Sequence, residues 1–236
     1  MNQKHSPDIR RAEPADAPGI NRIIRAAWSE YNPDVSADVI STHTTLVVSA
    51  DEKLVGFVDC FSTMRDEQGD QDKNDVLRWE VDWLAVDPAY HGNGFGKALL
   101  RAARDAGRAA GAQVARALIR VDNTASEKVF EKNGFKPLPD VLALYTSDLP
   151  LKDLRSVADH RNSYLIPVKR LNDSAIWIEG EVSDRVLQQA RHVIGIRGWH
   201  IAGVLIPRSD RKSMKLAEAE NYTHVNNYRQ YIYQYA

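Results

Sequence analysis

RWEVDWLAVDPAYHGNGFGKALL, Arg78 to Leu100, is the stretch whose reading decides the fold. It begins as a strand. By period two, Trp79, Val81, Trp83 and Ala85 share one face, and Glu80, Asp82, Leu84 and Val86 the other. Asp87-Pro88 stops the strand, because proline lacks the ladder N–H and restricts the residue before it. Gly92, Gly94 and Gly96 then alternate through His91-Gly92-Asn93-Gly94-Phe95-Gly96. From Lys97 the period becomes helical. Ala98, Leu99, Ala102, Ala103 and Ala106 share one face, and Lys97, Arg101, Arg104 and Arg108 lie largely on the other. Strand, glycine loop and helix N-terminus in that order form an anion site. Glycine lets the backbone approach a ligand, free N–H groups point outward, and the helix dipole favours negative charge.

Two anion-binding patterns fail on single residues. A kinase-type P-loop needs Gly-Lys-Ser/Thr, and Gly96-Lys97-Ala98 has no hydroxyl for a metal. A dinucleotide fingerprint needs glycine at the sixth position from Gly92, where Lys97 stands. The loop instead resembles motif A of the GNAT superfamily, the acyl-CoA-dependent N-acyltransferases. That motif is Gln/Arg-x-x-Gly-x-Gly/Ala after a strand ending hydrophobic-x-hydrophobic. Leu84-Ala85-Val86 and the loop from His91 to Gly96 match it, with His91 departing from Gln or Arg. One strand later, Asn123-Thr-Ala125-Ser-Glu-Lys-Val-Phe130-Glu-Lys-Asn-Gly134-Phe135 resembles motif B, Asn-x-x-Ala-x-x-x-Tyr-x-x-x-Gly-Phe, shortened by one residue after the Asn. The resemblance implies an α/β (α+β) GNAT fold: a mixed, mostly antiparallel central sheet, splayed at the motif-A strand, with helices on both faces.

Composition bounds the rest. At 236 residues the chain is one large domain or one domain with an appendage. Apolar content of 43% and charged content of 27% suit a soluble globular protein. A net charge of −1 offers no field for nucleic acid or an anionic membrane. No apolar run approaches the roughly 20 residues of a membrane span. MNQKHSPDIRRAEP at the start has no apolar h-region, so no signal peptide is expected. The single cysteine, Cys60, excludes an internal disulfide framework and fits a reducing cytoplasm.

Elsewhere, Ile9–Ala12 reads as a strand, and the helix after Glu13-Pro14-Ala15-Asp16 carries Ile20, Ile23, Ile24 and Trp28 as its stripe. Residues 35–42 suggest a second short helix. Thr45–Ser49 and Leu54–Phe61 form a hairpin, with Cys60 a buried structural thiol. Residues 66–75 read as a solvated loop rather than a metal site. Strands are expected at 114–121, 135–147 and 163–170, the last two paired as a hairpin, with the motif-B helix at 124–133. Residues 1–172 form the GNAT domain and 173–236 a small C-terminal α/β extension. The extension is strand, helix, strand, with a second helix near 213–220 and a tail bearing five tyrosines without obvious period. No second glycine loop and no internal repeat is visible, which disfavours a tandem acyltransferase. The extension is expected to pack on the first domain or on a second subunit, as in a homodimer.

The resemblance implies direct transfer of an acyl group from acetyl-CoA to a primary amine of a small molecule or protein, without a metal. Leu84, Ala85, Val86, His91, Gly92, Asn93, Gly94, Phe95, Gly96 and Lys97 would hold the cofactor, with the pyrophosphate on backbone amides. The backbone N–H of Leu84 would polarise the thioester carbonyl, and Asn123 would contact the pantetheine arm. Glu80 stands in register with the family's catalytic glutamate, with Asp82 two residues on; either could take the amine's proton or bind its charge. The family's usual acid, a tyrosine on the motif-B helix, falls at Phe130, so water, Tyr145 or a tail tyrosine would have to serve. Trp28, Tyr31 and Asn32 fall in the region that lines the family's acceptor site. The alternative is a non-catalytic acyl-CoA-binding sensor, with Phe130 a mark of lost chemistry.

Overall fold

A computed structural model of the chain describes residues 7–29, 35–64, 76–154, 162–171 and 173–235. β1 (Asp8–Arg11) enters a 3-10 turn and α1 (Ala17–Ala27), then α2 (Ala37–Thr42). β2 (Thr44–Ala50) and β3 (Lys53–Met64) make the expected hairpin. β4 (Leu77–Val86), α3 (Phe95–Ala109), β5 (Val114–Arg120), α4 (Thr124–Lys132) and β6 (Lys136–Ser147) follow. The chain continues through β7 (Ser163–Lys169), β8 (Ser174–Gly180), α5 (Asp184–Arg197), β9 (Ile201–Pro207), α6 (Arg211–Ala219) and β10 (Thr223–Gln234). The loop expected at 66–75 lies outside the described residues.

The described strands form one mixed, mostly antiparallel sheet in the order β1-β2-β3-β4-β5-β10-β6-β9-β8-β7. Its only parallel pairs among the described residues are β4 with β5 and β8 with β9. That order contains a repeat that the sequence hides. An antiparallel strand pair, a helix, a parallel strand, a helix and a final strand occur once as β3-β4-α3-β5-α4-β6. They occur again as β7-β8-α5-β9-α6-β10. The final strands are exchanged: β10 pairs with β5 of the first repeat, and β6 with β9 of the second. Two expectations change as a result. The 163–170 strand pairs with β8, not with 140–147. The tail is a central strand whose period is two: Arg229, Tyr231 and Tyr233 turn toward α3 and α4, and Gln230 toward the opposite face.

The organising strand departs from simple alternation. In the β3–β4 register Asp59 faces Trp83 and Cys60 faces Val81, so Asp82 is the extra residue of a bulge. The bulge switches faces. Trp79 and Val81 pack with Leu99, Leu100 and Ala103 of α3, whereas Trp83 and Ala85 pack with Ile20, Ile23 and Ile24 of α1. The single-face reading of Trp79, Val81, Trp83 and Ala85 is thereby corrected, and Leu84 and Val86 turn toward the α3 side. α3, α4, α5 and α6 cover one face of the sheet, and α1 and α2 cover part of the other. The sheet curls, so that β7 packs against β3 across that second face. Leu171, in the β7–β8 turn, is 1% exposed and sits in the α1 cluster, which fastens the second repeat to the first.

Candidate active site

The turn from β4 to α3 leaves backbone donors open. Gly92 and Gly94 both have φ of 82°, and a Cβ at either would meet nothing within 4 Å. Gly94 is the N-cap of α3 and provides no side-chain cap. The first turn of a helix has donors that its own carbonyls cannot reach; here Ala98 N–H to the Gly94 carbonyl, 3.0 Å, begins the ladder. Left-handed glycines, open space and uncapped N–H groups suit a pyrophosphate. His91 folds back, its Nε2 2.9 Å from the Val86 carbonyl, and Asn93 Nδ2 donates to the Tyr90 carbonyl at 3.1 Å. Both side chains brace the loop. Lys97, Arg101 and Lys128 are exposed.

β4 and β5 pair only from Arg78–Val114 to Glu80–Arg116. Beyond Glu80 they diverge. Val81 to Val86, Leu84 included, is paired to β3 on one edge and faces the gap with the other. On the sheet face away from α3, a cavity of about 290 Å³ opens at this divergence. Glu80, Val81 and Asp82 of β4 and Arg116, Ala117 and Leu118 of β5 line one side of it. The second repeat lines the other, through Ile166, Val168, Trp177, Glu179 and Leu205.

Charges ring the cavity. Arg116 Nε and Nη2 grip Glu80, at 3.0 and 2.6 Å from Oε1, and Thr63 Oγ1 donates to the same oxygen. Arg116 Nη2 also reaches Glu179 Oε1 at 3.0 Å, and Arg78 Nη1 holds Glu179 Oε2 at 2.6 Å. Burial works to raise the Glu179 carboxyl, but Arg116 and Arg78 outweigh it and hold it below the usual carboxylate range. Burial likewise works to lower the Arg116 guanidinium, and Glu80 and Glu179 outweigh it and raise it. Asp82 has its own partner, Arg170 Nε at 2.9 Å; that guanidinium also lies 6.0 Å from the Trp83 ring centroid. The two neighbouring carboxylates of the sequence reading are thus each matched to a separate guanidinium.

Other candidates have partners of their own. Asn123 Oδ1 accepts from Ser126 N–H at 3.1 Å and caps α4. Phe130 is 3% exposed and meets Phe135 edge to face, with Tyr231 6.3 Å away between centroids. Tyr145 donates to Glu218 on α6, within the second repeat's core, and so does not reach the gap. Cys60 is buried, and burial pushes its thiol up. Trp28 packs edge to face on Trp83 at 5.1 Å. Tyr31 and Asn32 lie outside the described residues. Sequence reasoning missed Arg116, Glu179 and Arg170. A signal existed for the first two: each is a lone charge within an apolar strand, Val114-Ala-Arg-Ala-Leu-Ile119 and Ala175-Ile-Trp-Ile-Glu179.

Residues 13–135, just over half of the chain, match the family model for the acetyltransferase (GNAT) family. The chain belongs to that family. Solved structures share its fold over nearly its whole length. A candidate acetyltransferase from Pyrococcus horikoshii is 14% identical with a TM-score of 0.61, over 100% of this chain and 91% of that one. A GCN5-related N-acetyltransferase from Sphaerobacter thermophilus is 16% identical with a TM-score of 0.59, over 99% and 96%. The glucosamine N-acetyltransferase region of a fungal multi-domain β-N-acetylglucosaminidase is 12% identical with a TM-score of 0.61, over 97% of this chain and 38% of that one. No curated protein matches. Among the described residues no helix is long and apolar enough to cross a membrane, and no group of three or more His, Cys, Asp or Glu could hold a metal ion.

Proposed function

We propose that the protein is an acetyl-CoA-dependent N-acetyltransferase that moves the acyl group directly to a primary amine. One observation carries this reading: β4 leads from Glu80, which lines the cavity, past the point where it parts from β5 and on toward the open N-terminus of α3. Acetyl-CoA would supply the activated thioester. The amides from Gly92 to Lys97 bind its pyrophosphate, and the unpaired edge of β4 around Leu84 to Val86 receives the pantetheine arm and donates to the thioester oxygen. Such a donor is worth about 3 kcal/mol in acyl transfer.

An alkylammonium titrates near pH 10 and must lose a proton before its nitrogen can attack. Glu80 is the proton acceptor, through Oε2, which carries one Arg116 contact at 3.1 Å where Oε1 is more heavily bonded. As the new C–N bond forms, the C–S bond breaks and the sulfur leaves with the electron pair. Phe130 contributes no proton, so the nitrogen gives up its second proton, relayed through water, to the departing thiolate. Phe130, where the family usually has a tyrosine, supports a second reading, an acyl-CoA sensor without turnover.

Calorimetric titration of the full chain with acetyl-CoA, then free-thiol release across an amine panel, separates the two. Binding with amine-dependent release supports the transferase. Binding without release from any amine supports the sensor, and absence of binding rejects both.

A further inference from the structure

The turn that presents the glycine amides is fastened at its first residue. Asp87 follows β4 and is 8% exposed. Its N–H donates to the Val55 carbonyl at 2.8 Å, and its carbonyl accepts from Tyr90 N–H at 2.8 Å. Its two carboxylate oxygens have different partners. Oδ1 accepts from Ala89 N–H at 3.1 Å and caps the Pro88–Tyr90 turn. Oδ2 accepts from Arg22 Nη1 of α1 at 2.6 Å, with Lys53 Nζ 3.9 Å away. Arg22 Nη2 donates in addition to the Leu54 carbonyl. One residue thus joins three parts of the fold: α1, the β2–β3 hairpin and the β4–α3 turn. The bond from Arg22 holds the Asp87 carboxyl below the usual carboxylate range.

The fastening runs on toward the glycines. Lys53 Nζ lies 5.6 Å from the Tyr90 ring centroid, and Tyr90 packs on Phe95, the first residue of α3, with centroids 6.5 Å apart. Asn93 Nδ2 donates to the Tyr90 carbonyl. Gly92 and Gly94 themselves stand in open space, with the backbone freedom that glycine brings. Amides that bind an anion cost less affinity when they are ordered before the ligand arrives. In this turn the order comes from the residues ahead of the glycines, and it starts at Asp87. Charge sets a second requirement. A carboxylate in a turn that receives a pyrophosphate opposes the ligand. Here it stands with two cations, Arg22 and Lys53, so the group is net positive, and loss of Arg22 cancels that surplus.

We propose that Asp87 is a positioning residue for the acyl donor: with Arg22 it fixes the β4–α3 turn so that the amides from Gly92 to Lys97 meet the pyrophosphate. This assignment rests on the proposed binding of acetyl-CoA, and it gives α1 a part in that binding through Arg22.

The test is calorimetric titration of the full chain with acetyl-CoA, followed by initial rates of free-thiol release. Asp87→Ala removes the cap and the ion-pair acceptor together and should raise the acetyl-CoA Kd about tenfold. Asp87→Asn keeps an oxygen for Ala89 N–H and for Arg22, and should recover most of that loss. Arg22→Gln should also weaken binding, by about five- to tenfold. The two residues act through one contact, so the double variant Arg22→Gln, Asp87→Ala should stay within about threefold of Asp87→Ala. At saturating acetyl-CoA the kcat of Asp87→Ala should stay within about threefold of the parent while the KM for acetyl-CoA rises, because the residue touches no reacting atom. An unchanged Kd in Asp87→Ala, no recovery in Asp87→Asn, losses that multiply in the double variant, or a kcat that falls about tenfold at saturation overturns the assignment. Should Asp87→Ala not fold, Arg22→Gln decides, and an unchanged Kd there overturns it. If the parent binds acetyl-CoA without thiol release, the transfer is rejected and the Kd values still decide this assignment. If the parent does not bind acetyl-CoA, the proposed function fails and this assignment with it.

Discussion

The two repeats share one topology and differ at one turn. Residues 87–94 join β4 to α3 and end in Gly94, which has φ of 82° and no capping side chain. Glu181-Val182-Ser183 joins β8 to α5, and Ser183 Oγ accepts from Val186 N–H at 3.3 Å. The first helix start leaves its donors open; the second satisfies one from its own chain. The same backbone order therefore yields an open helix start in one repeat and a capped one in the other. The second repeat presents Trp177 and Glu179 to the cavity beside the β4–β5 gap.

The sharpest way to break this contrast is Gly94→Asp. A side chain and a negative charge would occupy the phosphate position, and acetyl-CoA affinity should fall by more than about 100-fold while circular dichroism stays native. Intact binding in calorimetry would remove the anion cradle. Glu80→Gln should lower turnover about 100-fold or more, the usual range for a lost proton acceptor, with the acetyl-CoA Kd unchanged. Unchanged turnover would show that Glu80 only orients or anchors.

The union of the repeats is tested by Leu171→Ala. Emptying that buried site should cost about 2–5 kcal/mol in urea unfolding, in a single transition if the repeats unfold together. Two separate transitions would show that the repeats are thermodynamically independent. Ser183→Ala should cost only about 1 kcal/mol and leave acetyl-CoA affinity unchanged; a change in that affinity would mean that the second turn also meets the ligand. The smallest effect is that of acid on Glu179. Its folded value is held below the ordinary 4.5, so its pairing is fully stabilising above that pH and is lost as pH falls through the folded value. Glu179→Gln should flatten the acid limb of stability against pH, and an unaltered limb would show that the pairing adds nothing to folding.

The β2–β3 hairpin, the run from β4 through the glycine loop to α3, and the α4 helix ending at Gly134 were all legible in the residues. Each depends on local chemistry: a period that changes from 2 toward 3.6, proline and glycine where the chain must turn, and a polar cap. The expectation that Glu80 takes part in the chemistry came from the same stretch. The faces of β4 were misread because Asp82 is inserted by a bulge, and the bulge exists only against β3. The central position of β10 was hidden because neither neighbour is adjacent in sequence; its residue Tyr231 lies opposite Ala117 and Pro137.

The sequence by itself determined the family, the glycine turn and the elements that carry it, because those are properties of short segments. Tertiary structure alone decided the repeat, the exchanged strands and the charged wall of the cavity. Arg78 meets Glu179 across 101 positions of chain, and nothing local to either residue says that they touch. Such contacts arise when a curled sheet brings distant strands onto one face, where buried charges must find partners wherever the fold supplies them.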